Sequence, residues 1–364
     1  MKITTMPWVL ALCLCLLLPF GSSANAAGKS TKNHVYEWKL AESWPEDLPI
    51  FGGAVDKLIK YSHELSGGRL KIMTYPKEHH GKAFGVLEMV RSQQFEMGHT
   101  ASYYWKDKDI NTLFFTTLPL GMIAPERYAW FYHGGGLELM QKAYEDHRVL
   151  AFPGGNTGNQ MGGWFNREIK SLDDLKGLRM RVPGLAGEVM KELGVRTVNL
   201  PAGNLLDALE SGTLDALEWV GPSLDLGMGF HRTARFYYTG WHEPGTELQF
   251  VVNRAAYNKL PEDLQNVLKA AMRLAAYDTY IESYHASIEN LAVMQREYPN
   301  IQIRAFPTDV MRALRKETLK QLQTIADTGS PLTREILTSL QDYQRKARVW
   351  TRISDQAYLN NTGL

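Results

Sequence analysis

An extended segment, a polar loop, an amphipathic helix and a second extended segment follow one another between Val35 and Met73. A chain built on this order has few ways to bury itself. Val35-Tyr36-Glu37-Trp38-Lys39-Leu40 alternates as a strand does, and Ala41 to Leu48 is rich in turn formers. From Gly53 to Leu65 the apolar residues Val55, Leu58, Ile59 and Leu65 recur at helical spacing; Gly67-Gly68 then stops the helix, and Arg69-Leu70-Lys71-Ile72-Met73 is extended again. Two strands joined through a helix run in the same direction, so the expected class is α/β with a mainly parallel sheet.

The unit returns in the second half, where Gly177 to Val182 reads as a strand and Gly187 to Leu193 as a helix. A closer echo links Leu87 to Met97 with Leu206 to Ala216. Each is a short helix, a polar turn and an acidic residue leading into a strand, and the offset of 119 residues far exceeds a solenoid period. Two related lobes are the expectation; chance similarity of two amphipathic helices is the alternative. The remainder is mostly helical. Pro261 to Glu297 reads as one long helix with a proline start and a Tyr298-Pro299 stop, and Arg334 to Tyr358 as another, suited to bridging lobes, bracing a hinge or forming a dimer contact.

Residues 1–26 differ from the rest. Lys2, the apolar run Val9 to Phe20 and the small-residue site Ala24-Asn25-Ala26 read as a secretory signal peptide. Its removal takes one of the 40 basic residues and no acid, leaving 39 of each sign, and takes Cys13 and Cys15, the only cysteines. Disulfides, thiolate nucleophiles and thiolate metal sites go with them. A balanced charge without a basic cluster argues against nucleic acid as a partner.

Chemistry concentrates in a few segments. Gly154 to Phe165 alternates glycine and amide residues without periodicity, as expected where backbone approaches a ligand closely, yet it has neither phosphate-loop nor dinucleotide spacing. An ordinary connecting loop is the competing reading. Arg179 and Arg181 fall on one side of the strand from Leu178 to Val182, and an arginine beside a cleft can clamp a carboxylate with its planar fork; a solvated edge strand is the alternative. Glu218 and Trp219 end a strand-like run from Leu214, and Gly240 to Gly245 holds Glu243. With Gln160, these carboxylates would form a hard oxygen site suited to Na⁺, Ca²⁺ or Mg²⁺, although each carboxylate read alone could simply be solvated. His79, His80 and His99 lack the spacing of a zinc site, and no Gly-x-Ser-x-Gly elbow supports nucleophilic catalysis.

Several of these segments together carry a family resemblance. Ser43-Trp44-Pro45, Ser66 to Leu70, Gly98-His99 leading into Tyr103-Tyr104-Trp105, Leu172 to Leu178, Met180 to Gly184 and Ala208 to Ala216 resemble the solute-binding subunits of tripartite ATP-independent periplasmic (TRAP) transporters, the DctP type. Gly155 to Gly158, Gln160 to Trp164 and Glu218 to Pro222 resemble the branch that binds 2-oxo and 2-hydroxy monocarboxylates with a metal ion. The resemblance implies an α/β, two-lobed periplasmic binding protein fold with a hinge and long bridging helices. Lobe 1 would take about 34–150 plus part of the C-terminal region, lobe 2 about 151–255, and a helical region 256–364.

It further implies that Arg181 clamps the substrate carboxylate, that Gln160, Glu218 and the Trp219 backbone hold Na⁺ or Ca²⁺, that Glu243 contacts metal or ligand, and that Tyr103 and Tyr104 touch the substrate. The implied protein is a periplasmic receptor and not an enzyme. Its partners would be a small organic acid such as pyruvate, 2-oxobutyrate or lactate, the small and large TRAP membrane subunits, and a second copy through the C-terminal helix. Glu78 to Lys82 and His242-Glu243-Pro244 depart from the family pattern and leave tail preference and metal open. A dicarboxylate or aromatic acid is the alternative ligand, and a secreted metal-dependent lyase the alternative activity, which no positioned His or Cys partner supports.

Overall fold

The computed structural model describes residues 34–362, so the signal segment lies outside the described residues. Eleven strands form two sheets: β1 (Tyr36–Glu42), β2 (Leu70–Tyr75), β3 (Met97–Thr100), β4 (Val149–Asn156), β5 (Gly163–Phe165), β6 (Arg179–Arg181), β7 (Arg196–Val198), β8 (Ala216–Leu217), β9 (Phe236–Tyr238), β10 (Glu247–Asn253) and β11 (Gln302–Arg304). The first sheet has the order β2-β1-β3-β10-β4 and the second β11-β9-β5-β8-β6-β7.

The echo seen in the sequence is a repeat of topology. β1 pairs in parallel with both β2 and β3, and β6 pairs in parallel with both β7 and β8. The echoed segments supply the last helix and strand of each unit: Val86–Arg91 leads to β3 and Leu205–Glu210 to β8. Each unit then receives an antiparallel neighbour from elsewhere in the chain, β10 beside β3 and β5 beside β8. The sheets are therefore mixed rather than mainly parallel. The physical reason is that the chain crosses from one sheet to the other and back, after β4 and again after β9, and each crossing strand arrives running against its host. β10 consequently belongs to the first sheet, although it falls within 151–255.

The two crossing segments hold each other. Thr157 N–H donates to Thr246 O and Gln160 N–H to Glu243 O, both at 2.9 Å, so residues 157–162 and 239–246 form a narrow ribbon between the sheets. Its glycines answer to this backbone packing: a Cβ on Gly240 would sit 1.9 Å from Gln160 O, and one on Gly163, at φ +112°, 2.5 Å from Leu217 O. Within the stretch Gly154 lies against Gln249 of β10 and Gly155 against Thr279 of a helix, so packing within the protein accounts for these glycines.

A third connection is the helix Glu262–Glu297, 36 residues and ~54 Å long at 1.5 Å per residue. Leu264, Leu268, Ala271, Met272, Ala275 and Ala276 bury its first half. Asp278 and Glu282 accept from Tyr61 and Lys57 on the helix Phe51–Leu65 beside the first sheet. Farther along, Asn290 Nδ2 donates to Pro222 O at 2.9 Å, beside the second. The helix thus braces both sides. The last long segment is not one helix: Pro331–Ile353 and Asp355–Asn361 are separated at Ser354, whose backbone (φ −102°, ψ −97°) leaves the helical region.

Candidate functional site

Arg181 ends β6, and β8 beside it stops after two residues, so Glu218 and Trp219 emerge at the carboxyl end of the second sheet. A turn follows at once, and its shape has a cause. Asp225 Oδ1 accepts from the backbone N–H groups of Val220 and Gly221, both at 3.1 Å, while Oδ2 accepts from Trp164 Nε1 at 3.0 Å and Tyr237 Oη at 2.8 Å. One buried carboxylate therefore fixes where Glu218 and Trp219 point.

Opposite them the inter-sheet ribbon presents Gln160, His242 and Glu243. All of these side chains are buried; Glu218 is 0% exposed and Arg181 1%. Arg181 Nη1 donates to Glu218 Oε2 at 3.0 Å and also to the Glu218 carbonyl, and its guanidinium lies 5.2 Å from the Trp219 ring centre. Glu243 Oε2 accepts from Thr246 Oγ1 at 2.6 Å, and Gln160 Nε2 donates to Thr157 Oγ1 at 2.9 Å. In Arg181, Glu218 and Gln160 the contact uses one end of the side chain and leaves the other end bare. Arg181 Nη2, Gln160 Oε1, Glu218 Oε1 and both ring nitrogens of His242 are buried with no hydrogen-bond partner. Glu218, His242 and Glu243 can each offer one atom within 4.8 Å of the others.

Such a site is electrostatically unsettled when nothing joins it. Burial pushes Glu218 up to about 8 against the pull of Arg181, and burial plus the Glu218 charge pushes Glu243 up to about 7. Burial lowers His242 to about 4, so its ring is neutral. A cation among the carboxylates would reverse the first two shifts. The donor set fits one: an amide oxygen and two carboxylates are hard oxygen ligands, and bare buried oxygens are what a desolvated cation replaces.

The walls are aromatic. Tyr103 and Tyr104 lie on the short turn Ser102–Trp105 that follows β3. Tyr103 reaches across to Gly184, the first residue of the helix after β6, where a Cβ would meet its ring at 3.3 Å. Its hydroxyl is held neutral by burial and by the Glu243 charge, and that of Tyr104 is pushed up to about 12 by burial. Phe51, from the first sheet's side, packs on Trp219 with ring centres 5.7 Å apart, and Phe84 packs on Tyr104 at 4.5 Å.

The structure gathers Gln160, Arg181, Glu218, Trp219, Glu243, Tyr103 and Tyr104 around one place. Arg179 does not join them: it is solvent-facing and grips Asp215 with two hydrogen bonds. His99 is a core residue, accepting from Trp44 Nε1 and donating to Gly154 O, both at 2.9 Å, and His80 contacts Glu42 O. Two residues escaped sequence reasoning. Asp225 sits on a helix and gave no signal beyond being one acid among many. His242 was noticed only as a departure from a family pattern, although its place next to Glu243 was a usable cue.

The chain is similar to known proteins over most of its length. Residues 40–328 match the family of bacterial extracellular solute-binding proteins, family 7, DctP. The chain is 37% identical over 324 residues to a monocarboxylate 2-oxoacid-binding periplasmic protein of Nostoc sp., covering 89% of this chain and 88% of that one. Among solved structures it resembles a TRAP periplasmic solute-binding protein from Colwellia psychrerythraea with bound calcium and pyruvate, at 56% identity and a TM-score of 0.88, over 90% of this chain and 99% of that one. A second, from Pseudoalteromonas atlantica with bound sodium and pyruvate, shares 54% identity, a TM-score of 0.88 and the same coverage. The chain belongs to the DctP family of extracellular solute-binding proteins.

Proposed function

We propose that the chain is the extracytoplasmic receptor of a TRAP transporter and that it binds a small 2-oxo or 2-hydroxy monocarboxylate, with pyruvate as the reference ligand, together with Ca²⁺ or Na⁺. The observation that carries this reading is the set of buried bare atoms at the site: a donor on Arg181, and acceptors on Gln160 and Glu218. Arg181 Nη2 takes one oxygen of the ligand carboxylate, its Nη1 staying on Glu218. Gln160, Glu218, Glu243 and the Trp219 backbone hold the cation, which supplies a positive charge able to read the ligand's α-oxygen, an atom that a simple fatty acid lacks. With Glu218 and Glu243 ionised and Arg181 charged, the site carries one net negative charge, and a monocarboxylate adds a second. A divalent cation neutralises both, whereas Na⁺ leaves one carboxylate to keep a proton.

Tyr103, Tyr104 and Trp219 confine the apolar tail and exclude water, which strengthens every charge contact inside. The two sheets are the natural lobes, with 157–162, 239–246 and the helix Glu262–Glu297 as the hinge connections, and closure around the ligand is the motion. Cleavage after Ala26 delivers the receptor to the periplasm, where the closed form docks on the small and large membrane subunits. The exposed Val349, Trp350 and Ile353 of the C-terminal helix supply the contact for a homodimer.

Calorimetry with pyruvate tests the reading, in Ca²⁺, in Na⁺ and after chelation, for the native protein and Arg181→Ala. Binding that needs a cation and is lost in the variant is expected. Equal binding by both proteins, or no binding of any small oxo acid, would sink it.

A further inference from the structure

We propose that His242 is a nitrogen ligand of the cation site, so that the site accepts a borderline divalent metal such as Co²⁺ as well as a hard cation. The inference rests on the receptor reading above but adds a residue and a metal class to it.

Three observations carry it. First, His242 is 1% exposed, yet neither ring nitrogen has a hydrogen-bond partner. An imidazole enclosed this way leaves a donor and an acceptor unsatisfied. The other buried histidine of the core, His99, uses both nitrogens. Second, the ring is aimed at the site: His242 Nε2 stands 3.6 Å from Glu218 Oε1, which is itself bare. That separation exceeds a hydrogen bond, and it is a normal distance between two atoms sharing one metal ion. Third, Glu218, His242 and Glu243 each bring one ligand atom within 4.8 Å of the others. A metal 2.0–2.4 Å from each of three ligands would span just such separations.

The chemistry of the set follows from its atoms. Ca²⁺ and Na⁺ are served by oxygen alone, and Gln160, Glu218 and Glu243 already offer it. An added imidazole does little for a hard ion, while it raises the affinity of first-row transition ions, for which nitrogen is a preferred donor. His242 therefore tunes which cation accompanies the acid, and it sits on the same ribbon as Gln160, so cation and lobe connection share one structural element.

The test uses the full mature protein freed of carried ligand and metal by unfolding in chelator and refolding. Calorimetry with Co²⁺ and with Ca²⁺, each in the presence of pyruvate, is run on the native protein and on His242→Gln. The expected result is a Co²⁺ affinity at least tenfold weaker in the variant, with the Ca²⁺ affinity changed less than threefold. Electron paramagnetic resonance of the Cu²⁺-loaded native protein needs no variant and covers the case in which His242→Gln does not fold: coupling to one imidazole nitrogen is expected. Absence of nitrogen coupling, or equal losses for Co²⁺ and Ca²⁺, overturns the proposal. The pyruvate isotherm of the native protein in Ca²⁺ reports separately on the receptor reading: if it shows binding while the nitrogen signal is absent, only the His242 role fails.

Discussion

Arg181 holds Glu218 through Nη1 alone, 3.0 Å from Oε2, and so keeps Nη2 bare on one side of the pair and Oε1 bare on the other. A fully paired bidentate fork would have closed both ends and left a stable but inert core ion pair. The half-paired arrangement leaves the arginine a free donor beside the protein carboxylate it already holds, the donor that the proposed receptor role assigns to a ligand carboxylate.

Arg181→Lys separates those duties. The charge remains, but an ammonium cannot present two parallel donors in a plane. The expected outcome is a folded protein whose pyruvate affinity in Ca²⁺ falls about 10- to 100-fold, the loss of one charge-assisted hydrogen bond of roughly 1.5–3 kcal/mol. Calorimetry reads it, and an unchanged Kd would show that Nη2 does not meet the ligand.

Asp225 touches nothing in the site, yet it accepts four hydrogen bonds that shape the turn after Trp219. Asp225→Asn converts one oxygen into a donor and turns it against either two backbone N–H groups or the Trp164 and Tyr237 donors. The Tyr237 hydroxyl can turn to accept from the new amide, but Trp164 Nε1 then faces a donor, at about 1–3 kcal/mol, so a Tm decrease of a few degrees should accompany weaker pyruvate binding. Normal stability in thermal melts would remove Asp225 from its positioning role.

The sequence made the residues that gather in one place legible and hid their supports. Arg181 and Arg179 share a strand face, and alternation alone could not say that one is buried on Glu218 while the other grips Asp215 at the surface; that depends on which end of β6 the other lobe covers. The βαβ units were readable from periodicity. The antiparallel partners β10 and β5 were not, because nothing in a strand's own residues records that the chain has just changed sheets. Ser354 lies inside an amphipathic pattern that continues across it, so spacing predicted one helix where the backbone makes two. His242 carried its signal in composition, a histidine beside a site glutamate, and needed the surrounding enclosure to show that its nitrogens were bare.

His99 gives the protein an acid-sensitive core. Burial lowers it from the usual 6.5 to about 4, so the unfolded chain binds a proton between these values when the native one does not. Stability tied to His99 is therefore complete above pH 6.5 and is lost as pH falls towards 4. Groups common to both proteins cancel if His99→Gln is the reference. The stability advantage of the native protein over that variant should shrink by about 2 kcal/mol between pH 7.5 and pH 5 in denaturant titrations of the cation-free forms. A gap that does not change with pH refutes the assignment.

Lys106 and Glu188 join the two sheets at the rim. Nζ lies 2.9 Å from Oε1, next to the contact of Tyr103 with Gly184. The pair is partly solvated, so its worth is roughly 0.2–1 kcal/mol. Lys106→Ala should speed pyruvate release less than about fivefold, leave association nearly unchanged, and lose its effect at high salt. Stopped-flow release rates at two ionic strengths decide it, and a salt-independent effect would point to packing by the lysine stem instead.

The cation site must give up protons before it can fill. Without a cation, Glu218 lies near 8 and Glu243 near 7, both raised by burial, so at pH 7 the two carboxyls together hold more than one proton. A bound cation needs them ionised. Between pH 6 and 8 the cation-free state therefore binds more protons than the loaded one, and affinity rises with pH, by about tenfold per unit if one proton is released. Above about pH 9 the dependence should level off, because both carboxyls are then ionised without a cation. Repeating the Ca²⁺ and pyruvate titration in buffers of different ionisation enthalpy counts the protons directly at pH 7. Release of more than one is expected, and a heat that does not vary with the buffer would mean that Glu218 and Glu243 are ionised before the cation arrives.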